Sequence, residues 1–163
     1  MARPHMTKTD RHVIGLISDT HGLVRPQALA ALEGVEQIIH AGDIGKREVI
    51  VALQEIAPVA AIRGNIDREP WAKRLPNTKS IQVGNARLFI IHNIKELARD
   101  PVACGYQVVI SGHSHMPSVL KRDGVLFVNP GSAGPRRFKL PIAVAKLFIE
   151  DHRVNAQIIG LPM

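Results

Sequence analysis

Apolar residues along this chain alternate between short unbroken runs and helically spaced sets. Val13-Ile14-Gly15-Leu16-Ile17 is an unbroken run of the kind a strand buried on both faces requires, and it ends in a polar loop, Ser18 to Gly22. Arg25 to Glu33 carries Leu29 and Leu32 at helical spacing, with Pro26 suited to a first turn. Glu36 to Ala41 predicts a second buried strand, and Lys46 to Ile56 sets Val49, Ile50 and Leu53 on one helical stripe. Pro58 to Ile62 predicts a third strand, stopping at Arg63-Gly64-Asn65. A β-α-β-α-β series of this kind implies parallel strands joined by right-handed crossovers.

The second half has a different rhythm. Residues 68–79, with two prolines, Trp71 and several charges, read as a loop. Ser80–Val83 and Arg87–Ile91 flank Gly84-Asn85, a hairpin signal. A helix is expected from about Ile94 to Cys104, leading into a buried strand at Val108–Ile110. Two more hairpins are expected, one turning at Arg122-Asp123-Gly124 and one at Glu150-Asp151-His152. No internal repeat or linker composition divides the chain, so residues 12–163 read as one domain. Residues 1–11 read as a disordered or tag-derived N-terminus, in which His5-Met6 resembles an expression scar. The expected fold class is α/β, with two mixed β-sheets packed face to face and helices outside.

Composition narrows this picture in three ways. With 45% hydrophobic and 21% charged residues, the chain has a globular balance that argues against disorder. Aromatics are only 4%, so the core must rest on Val, Ile, Leu and Ala. The formal charge of +7 raises the question of nucleic acid, but the basic residues are dispersed, and the densest group is Arg136, Arg137 and Lys139. With no arginine-rich helix and no interleaved aromatics, the charge reads as a solvated surface that attracts anionic substrates. Specific nucleic-acid binding is not expected. The single cysteine, Cys104, excludes an internal disulfide and fits a reducing, cytoplasmic setting. No apolar run approaches the roughly 20 residues needed to span a membrane.

Candidate chemistry collects just after the predicted strands. Asp19 and His21 follow the first, Asp43 the second, and Asn65 and Asp67 the third; His92 ends a hairpin strand, and His113 and His115 follow Ile110. In open α/β sheets this edge is where ligands bind. Carboxylate, amide and imidazole groups suit Mn, Fe, Zn, Ni or Mg rather than a soft thiolate site. Asp19-Thr20-His21 and His113-Ser114-His115 each place two donors on one side of an extended segment. Each fragment alone reads as ordinary turn chemistry. Together they are too many donors for one tetrahedral ion, and two ions sharing a carboxylate would use them all.

The order Asp-x-His, Gly-Asp, Gly-Asn-x-Asp, His, Gly-His-x-His resembles the calcineurin-like metallophosphoesterase superfamily, across roughly residues 12–150. Ser18-Asp19-Thr20-His21-Gly22 and Asn129-Pro130-Gly131-Ser132 resemble its small microbial phosphodiesterase branch, to which the non-catalytic retromer subunit Vps29 is related. The resemblance implies a four-layer αββα sandwich and two divalent cations, Mn foremost, with Ni, Fe, Zn or Mg as alternatives. It implies one cation on Asp19, His21, Asp43 and His115 and the other on Asp43, Asn65, His92 and His113, with a bridging hydroxide as nucleophile. The implied substrate is a small phosphoester that Asn65 would contact; Arg136 and Arg137 read either as a grip on its phosphate or as part of a solvated loop, and homo-oligomerisation is left open. Two positions depart from the family. Ile66 stands where many members have the histidine proposed to protonate the leaving group, and Asn93 follows His92 where the branch has glycine. Slow turnover on poor leaving groups is therefore expected, and a Vps29-like interaction module is the competing reading. His40 is expected to support the site rather than bind metal, Asp67 to orient the Asn65 loop, and Ser132 either to shape its loop or to face the site.

Overall fold

The computed structural model describes residues 10–162. Expectations about the N-terminus therefore fall mainly on residues 1–9, outside the described residues. Strand β1 (Arg11–Ile17) is followed by α1 (Pro26–Ala31), β2 (Gln37–His40), α2 (Arg47–Gln54), β3 (Val59–Ala61) and α3 (Pro70–Lys73). The hairpin β4 (Thr78–Val83) and β5 (Ala86–Ile91) comes next. Then follow β6 (Val108–Ile110), β7 (Ser118–Arg122), β8 (Val125–Asn129), β9 (Ala143–Glu150) and β10 (Arg153–Gly160). Among the described residues, no helix is long and apolar enough to cross a membrane.

The strands form two five-stranded mixed sheets, in the orders β10-β9-β1-β2-β3 and β4-β5-β6-β8-β7. In the first, β1, β2 and β3 are parallel and β9 pairs antiparallel with β1. In the second, β5, β6 and β8 are parallel, with antiparallel edges β4 and β7. Alternation along β1 shows how one strand serves two layers. Ile14 and Leu16 enter the core between the sheets, where they meet Leu88, Ile90, Val108 and Ile110. Val13 and Ile17 face the other way, toward Ala28 and Leu32 of the α1 region and Val49 and Leu53 of α2. Gly15 shares that face, and a Cβ there would lie 2.8 Å from Leu32 Cδ2, so glycine sets how closely the helical layer approaches. Each fully buried Ile or Leu contributes about 1.5–3 kcal/mol relative to exposure.

The two-sheet sandwich agrees with the expected fold class, and two local expectations need correction. The helix expected from Ile94 to Cys104 is a single 3₁₀ turn, Ile94–Glu96, followed by irregular chain. Asn93 caps the Lys95 N–H, Leu97 is extended (φ −66°, ψ 107°), and Pro101 removes a helical donor. The outer layer over the second sheet is therefore this irregular segment, whose Leu97 and Cys104 pack against Phe89, Tyr106 and Val109. Within the expected loop 68–79, Pro70 opens the short helix α3, and Thr78 and Lys79 extend β4. All three predicted hairpins close with two-residue loops, with Val83 opposite Ala86, Arg122 opposite Val125 and Glu150 opposite Arg153.

Candidate metal centre

Strand ends from both sheets meet at one rim. The turn after β1 brings Asp19 and His21, the turn after β2 brings Asp43, β5 ends beside His92, and the turn after β6 carries His113 and His115. Donor atoms of Asp19, His21 and His115 all lie within 4.8 Å of one another, as do those of Asp19, Asp43 and His92. The two groups share Asp19, whose Oδ1 is 3.4 Å from His115 Nε2 and 3.9 Å from His92 Nε2. Asp43 also spans both groups, since its Oδ2 is 3.3 Å from His92 Nε2 and 3.7 Å from His21 Nε2.

Five of these residues occupy an uncommon backbone conformation. Asp19, His21, Asp43, His113 and His115 have φ of 55°, 47°, 56°, 70° and 63°. Left-handed backbone costs a residue with a Cβ about 1–2 kcal/mol, so surrounding structure must hold it in place. Ser132 Oγ donates to the Asp19 carbonyl at 3.0 Å, and Asp19 N–H donates to the Gly42 carbonyl at 3.0 Å. His21 N–H donates to the Asp43 carbonyl at 3.0 Å, tying the first two turns together. Asn129 Nδ2 donates to the Gly112 carbonyl at 2.9 Å and steadies the histidine turn. Glycine is required where turns touch: a Cβ on Gly64 would fall 2.1 Å from Asp43 Oδ1, and one on Gly112 would fall 2.0 Å from Ser18 Oγ.

Hydrogen bonds leave one face of each donor free. Asp19 Oδ2 accepts from Ser18 Oγ at 2.7 Å and from His113 N–H at 3.0 Å, while Oδ1 has no hydrogen-bond partner. Asp43 Oδ1 accepts from Ile66 N–H at 3.1 Å, leaving Oδ2 toward the histidines. His92 Nδ1 donates to the Ala41 carbonyl at 2.7 Å, and this sets the tautomer that leaves Nε2 free as a ligand. His21 Nε2 and His92 Nε2 are also buried without a hydrogen-bond partner. Unsatisfied buried polar atoms cost about 1–3 kcal/mol each. Several of them converging with carboxylates fit a divalent cation.

Ionisation at the rim is strongly perturbed. Burial pushes the Asp43 carboxyl up, but the adjacent His92 imidazole and the Ile66 N–H outweigh it and hold the group at about 2. Burial dominates at Asp19 and raises it, against the Ser18 hydrogen bond and the charges of His92 and His115. Burial lowers His92, yet the neighbouring Asp43 and the Ala41 carbonyl prevail and raise it. His115 is lowered, chiefly by burial, with Asp19 opposing and Arg137 and His21 adding to the fall. Perturbed groups gathered at one edge are a frequent mark of a functional site.

The remaining expected residues separate into those at the rim and those behind it. His113 is exposed, with its ring 5.3 Å from that of His92, edge to face. Asn65 lies in the exposed turn after Gly64, and its side chain makes no hydrogen bond among the described residues. Arg136 and Arg137 are exposed, and Arg137 is near enough to His115 to influence its protonation. Asp67 is buried and accepts from the N–H groups of Ile44, Gly45 and Gly64 at 2.9–3.1 Å, locking the Asn65 turn to the Asp43 turn. His40 is fully buried and supports the site as expected. Its Nδ1 accepts from Gly42 N–H at 3.1 Å, so its Nε2–H donates to Thr20 Oγ1 at 3.0 Å. Burial, above all, pushes it down to about 3, so it is a neutral strut. Ser132 shapes its loop through the Asp19 carbonyl. Sequence reasoning missed the supporting role of Ser18, whose only signal was adjacency to Asp19.

A model of the calcineurin-like phosphoesterase superfamily domain matches residues 13–152. The chain belongs to that superfamily. A protein of Methanothermobacter thermautotrophicus named probable metallophosphoesterase is 32% identical over 165 residues, which is 93% of this chain and 95% of the relative. A solved archaeal phosphodiesterase is 27% identical, with a TM-score of 0.75 over 90% of this chain and 99% of its own. Vps29 of Entamoeba histolytica, solved with zinc, has a TM-score of 0.69 at 20% identity, over 91% of this chain and 98% of its own. That likeness shows a shared fold. The superfamily is metal-dependent, and in this chain the candidate ligands are the carboxylates and imidazoles gathered at the rim.

Proposed function

We propose that this protein is a metal-dependent phosphodiesterase of the cytoplasm that uses two divalent cations, Mn foremost, sharing Asp43. The observation that carries this reading is the convergence of Asp19, His21, Asp43, His92 and His115, with Asp19 Oδ1, His21 Nε2 and His92 Nε2 buried and unpaired. One cation would be held by Asp19, His21, Asp43 and His115, and the other by Asp43, Asn65, His92 and His113. When bound, such a pair supplies Lewis-acid polarisation of a phosphoryl oxygen and a nucleophilic water at neutral pH. The chain's own groups do the rest. Asp43 keeps its carboxyl ionised through its neighbours, Asn65 offers an amide from an exposed turn, and the guanidinium of Arg137 attracts the substrate phosphate.

Ile66, 45% exposed beside Asn65, offers no proton to a departing alkoxide. Good leaving groups such as nitrophenolate should therefore be cleaved far faster than alkyl esters. The purified chain assayed with Mn²⁺, Ni²⁺ or Mg²⁺ on bis-p-nitrophenyl phosphate should turn over, and Asp43→Ala should fall by about 100-fold or more. Equal activity in the two proteins would discard the hydrolase.

The same Ile66, with Asn93 after His92, favours one second reading: a non-catalytic interaction module like the retromer relative. That reading requires weak or absent metal uptake. Calorimetric titration showing two metals bound tightly per chain would count against it.

A further inference from the structure

Away from the rim donors, α2 and α3 flank an open cavity of about 400 Å³, lined by Arg47, Ile50, Pro70, Trp71, Arg74 and Leu75. Its volume lies within the usual range for small-ligand sites. The helices that wall it leave the turns carrying Asp43 and Asn65. Ile50, Trp71 and Leu75 are partly buried against the helix-side core, so the apolar floor is anchored. The Trp71 indole is fixed by its Nε1–H, which donates to Glu69 Oε2 at 2.9 Å.

The two arginines at this cavity are exposed, and neither is in an ion pair or side-chain hydrogen bond among the described residues. Acidic side chains are nearby in sequence, at Glu48 and Glu69, yet the lining holds no carboxylate. An apolar slot with an indole wall and two unpaired guanidiniums matches one ligand chemistry well: a planar aromatic group joined to a phosphate. Guanidinium groups bind phosphate through paired N–H donors, and aromatic side chains stack on bases without regard to sequence. We propose that the α2–α3 cavity is a nucleotide-binding subsite, taking the base against Trp71 and the phosphate between Arg47 and Arg74. This site goes beyond the phosphodiesterase reading, and binding here does not depend on hydrolysis.

Trp71 is the only tryptophan in the chain, so its fluorescence reports directly on this cavity. The full chain, stripped with EDTA to silence the rim, is titrated with AMP, adenosine and inorganic phosphate. AMP should quench Trp71 saturably and bind about tenfold or more tighter than adenosine or phosphate, because both groups must be engaged. The doubly substituted Arg47→Ala/Arg74→Ala protein should lose about tenfold or more of that affinity while keeping the parent's thermal melt, since both side chains are exposed and unpaired. Asp43→Ala should bind AMP as the parent does. AMP binding no tighter than adenosine, or unchanged in the arginine double variant, overturns the subsite and leaves the hydrolase reading intact. Saturable AMP binding in a protein that hydrolyses no phosphodiester supports the subsite and rejects the hydrolase alone.

Discussion

Two sets of turns in this molecule adopt the same left-handed backbone for different reasons. At the hairpin ends, Asp123 and Gly124 between β7 and β8, and Asp151 between β9 and β10, have φ of 52°, 80° and 53°. These residues are exposed, and the conformation suits two-residue loops between twisted strands. At the rim, Asp19, Asp43 and His115 take similar angles while buried, held by Ser132, Ser18, Ile66 and backbone groups from other turns. The hairpins use the conformation to reverse the chain cheaply. The rim uses it to aim side chains inward that an ordinary strand exit would send elsewhere, and the cost is met by packing.

The largest expected effect compares a glycine packed against the Asp43 turn with one at a hairpin end. Gly64→Ala places a methyl 2.1 Å from Asp43 Oδ1 and 2.3 Å from Asp43 N, and backbone cannot move aside cheaply. It should cost roughly 3 kcal/mol in urea unfolding and abolish metal uptake. Gly124→Ala meets nothing within 4 Å, and at φ +80° it should cost only about 1 kcal/mol with metal uptake unchanged. Similar losses in the two variants would erase the distinction drawn between rim and hairpin.

Next comes the clamp beneath the rim. Asp67→Ala leaves the N–H groups of Ile44, Gly45 and Gly64 without their carboxylate, which should cost about 2–3 kcal/mol. Because those bonds join the Asp43 and Asn65 turns, phosphodiesterase activity should drop by about tenfold or more even at temperatures where the variant is folded. A variant less stable but fully active when folded would make Asp67 a fold residue only.

The smallest effect is a pH dependence. His40 has a folded value of about 3 against 6.5 unfolded, so between these limits the unfolded chain binds a proton that the folded one refuses. Stability is thus full above the unfolded value and falls as pH drops below it. From pH 7 to 5 the loss should be about 2 kcal/mol. Urea unfolding of the metal-free chain at both pH values, beside His40→Gln, should show a shallower pH dependence in the variant. Parallel curves would remove His40 from the account.

Much of the site was legible because its donors directly follow apolar runs: Asp19 after Ile17, Asp43 after Ala41, and His113 after Ile110. Hairpins were legible for the same local reason, since Gly84-Asn85 and Asp123-Gly124 supply residues that tolerate positive φ. The segment from Ile94 to Cys104 misled because its apolar residues have helical spacing, whereas Leu97 turns to extended backbone (φ −66°, ψ 107°) and Pro101 lacks the donor a continuing helix would need. Thr78 and Lys79 gave no strand signal, since both are exposed on an edge strand and bury nothing.

Sequence alone indicated the succession of strands, the hydrophobic faces and the candidate donors, because each depends on neighbours a few residues apart. Tertiary structure decided which oxygen and which nitrogen face the candidate metal centre. Asp19 takes its partner bond from His113, 94 residues away, and its carbonyl is held by Ser132, 113 residues away. Those contacts exist only once the two sheets pack and bring their carboxyl ends together. Burial then leaves a few donors unpaired, and that frustration is the physical basis for holding a cation.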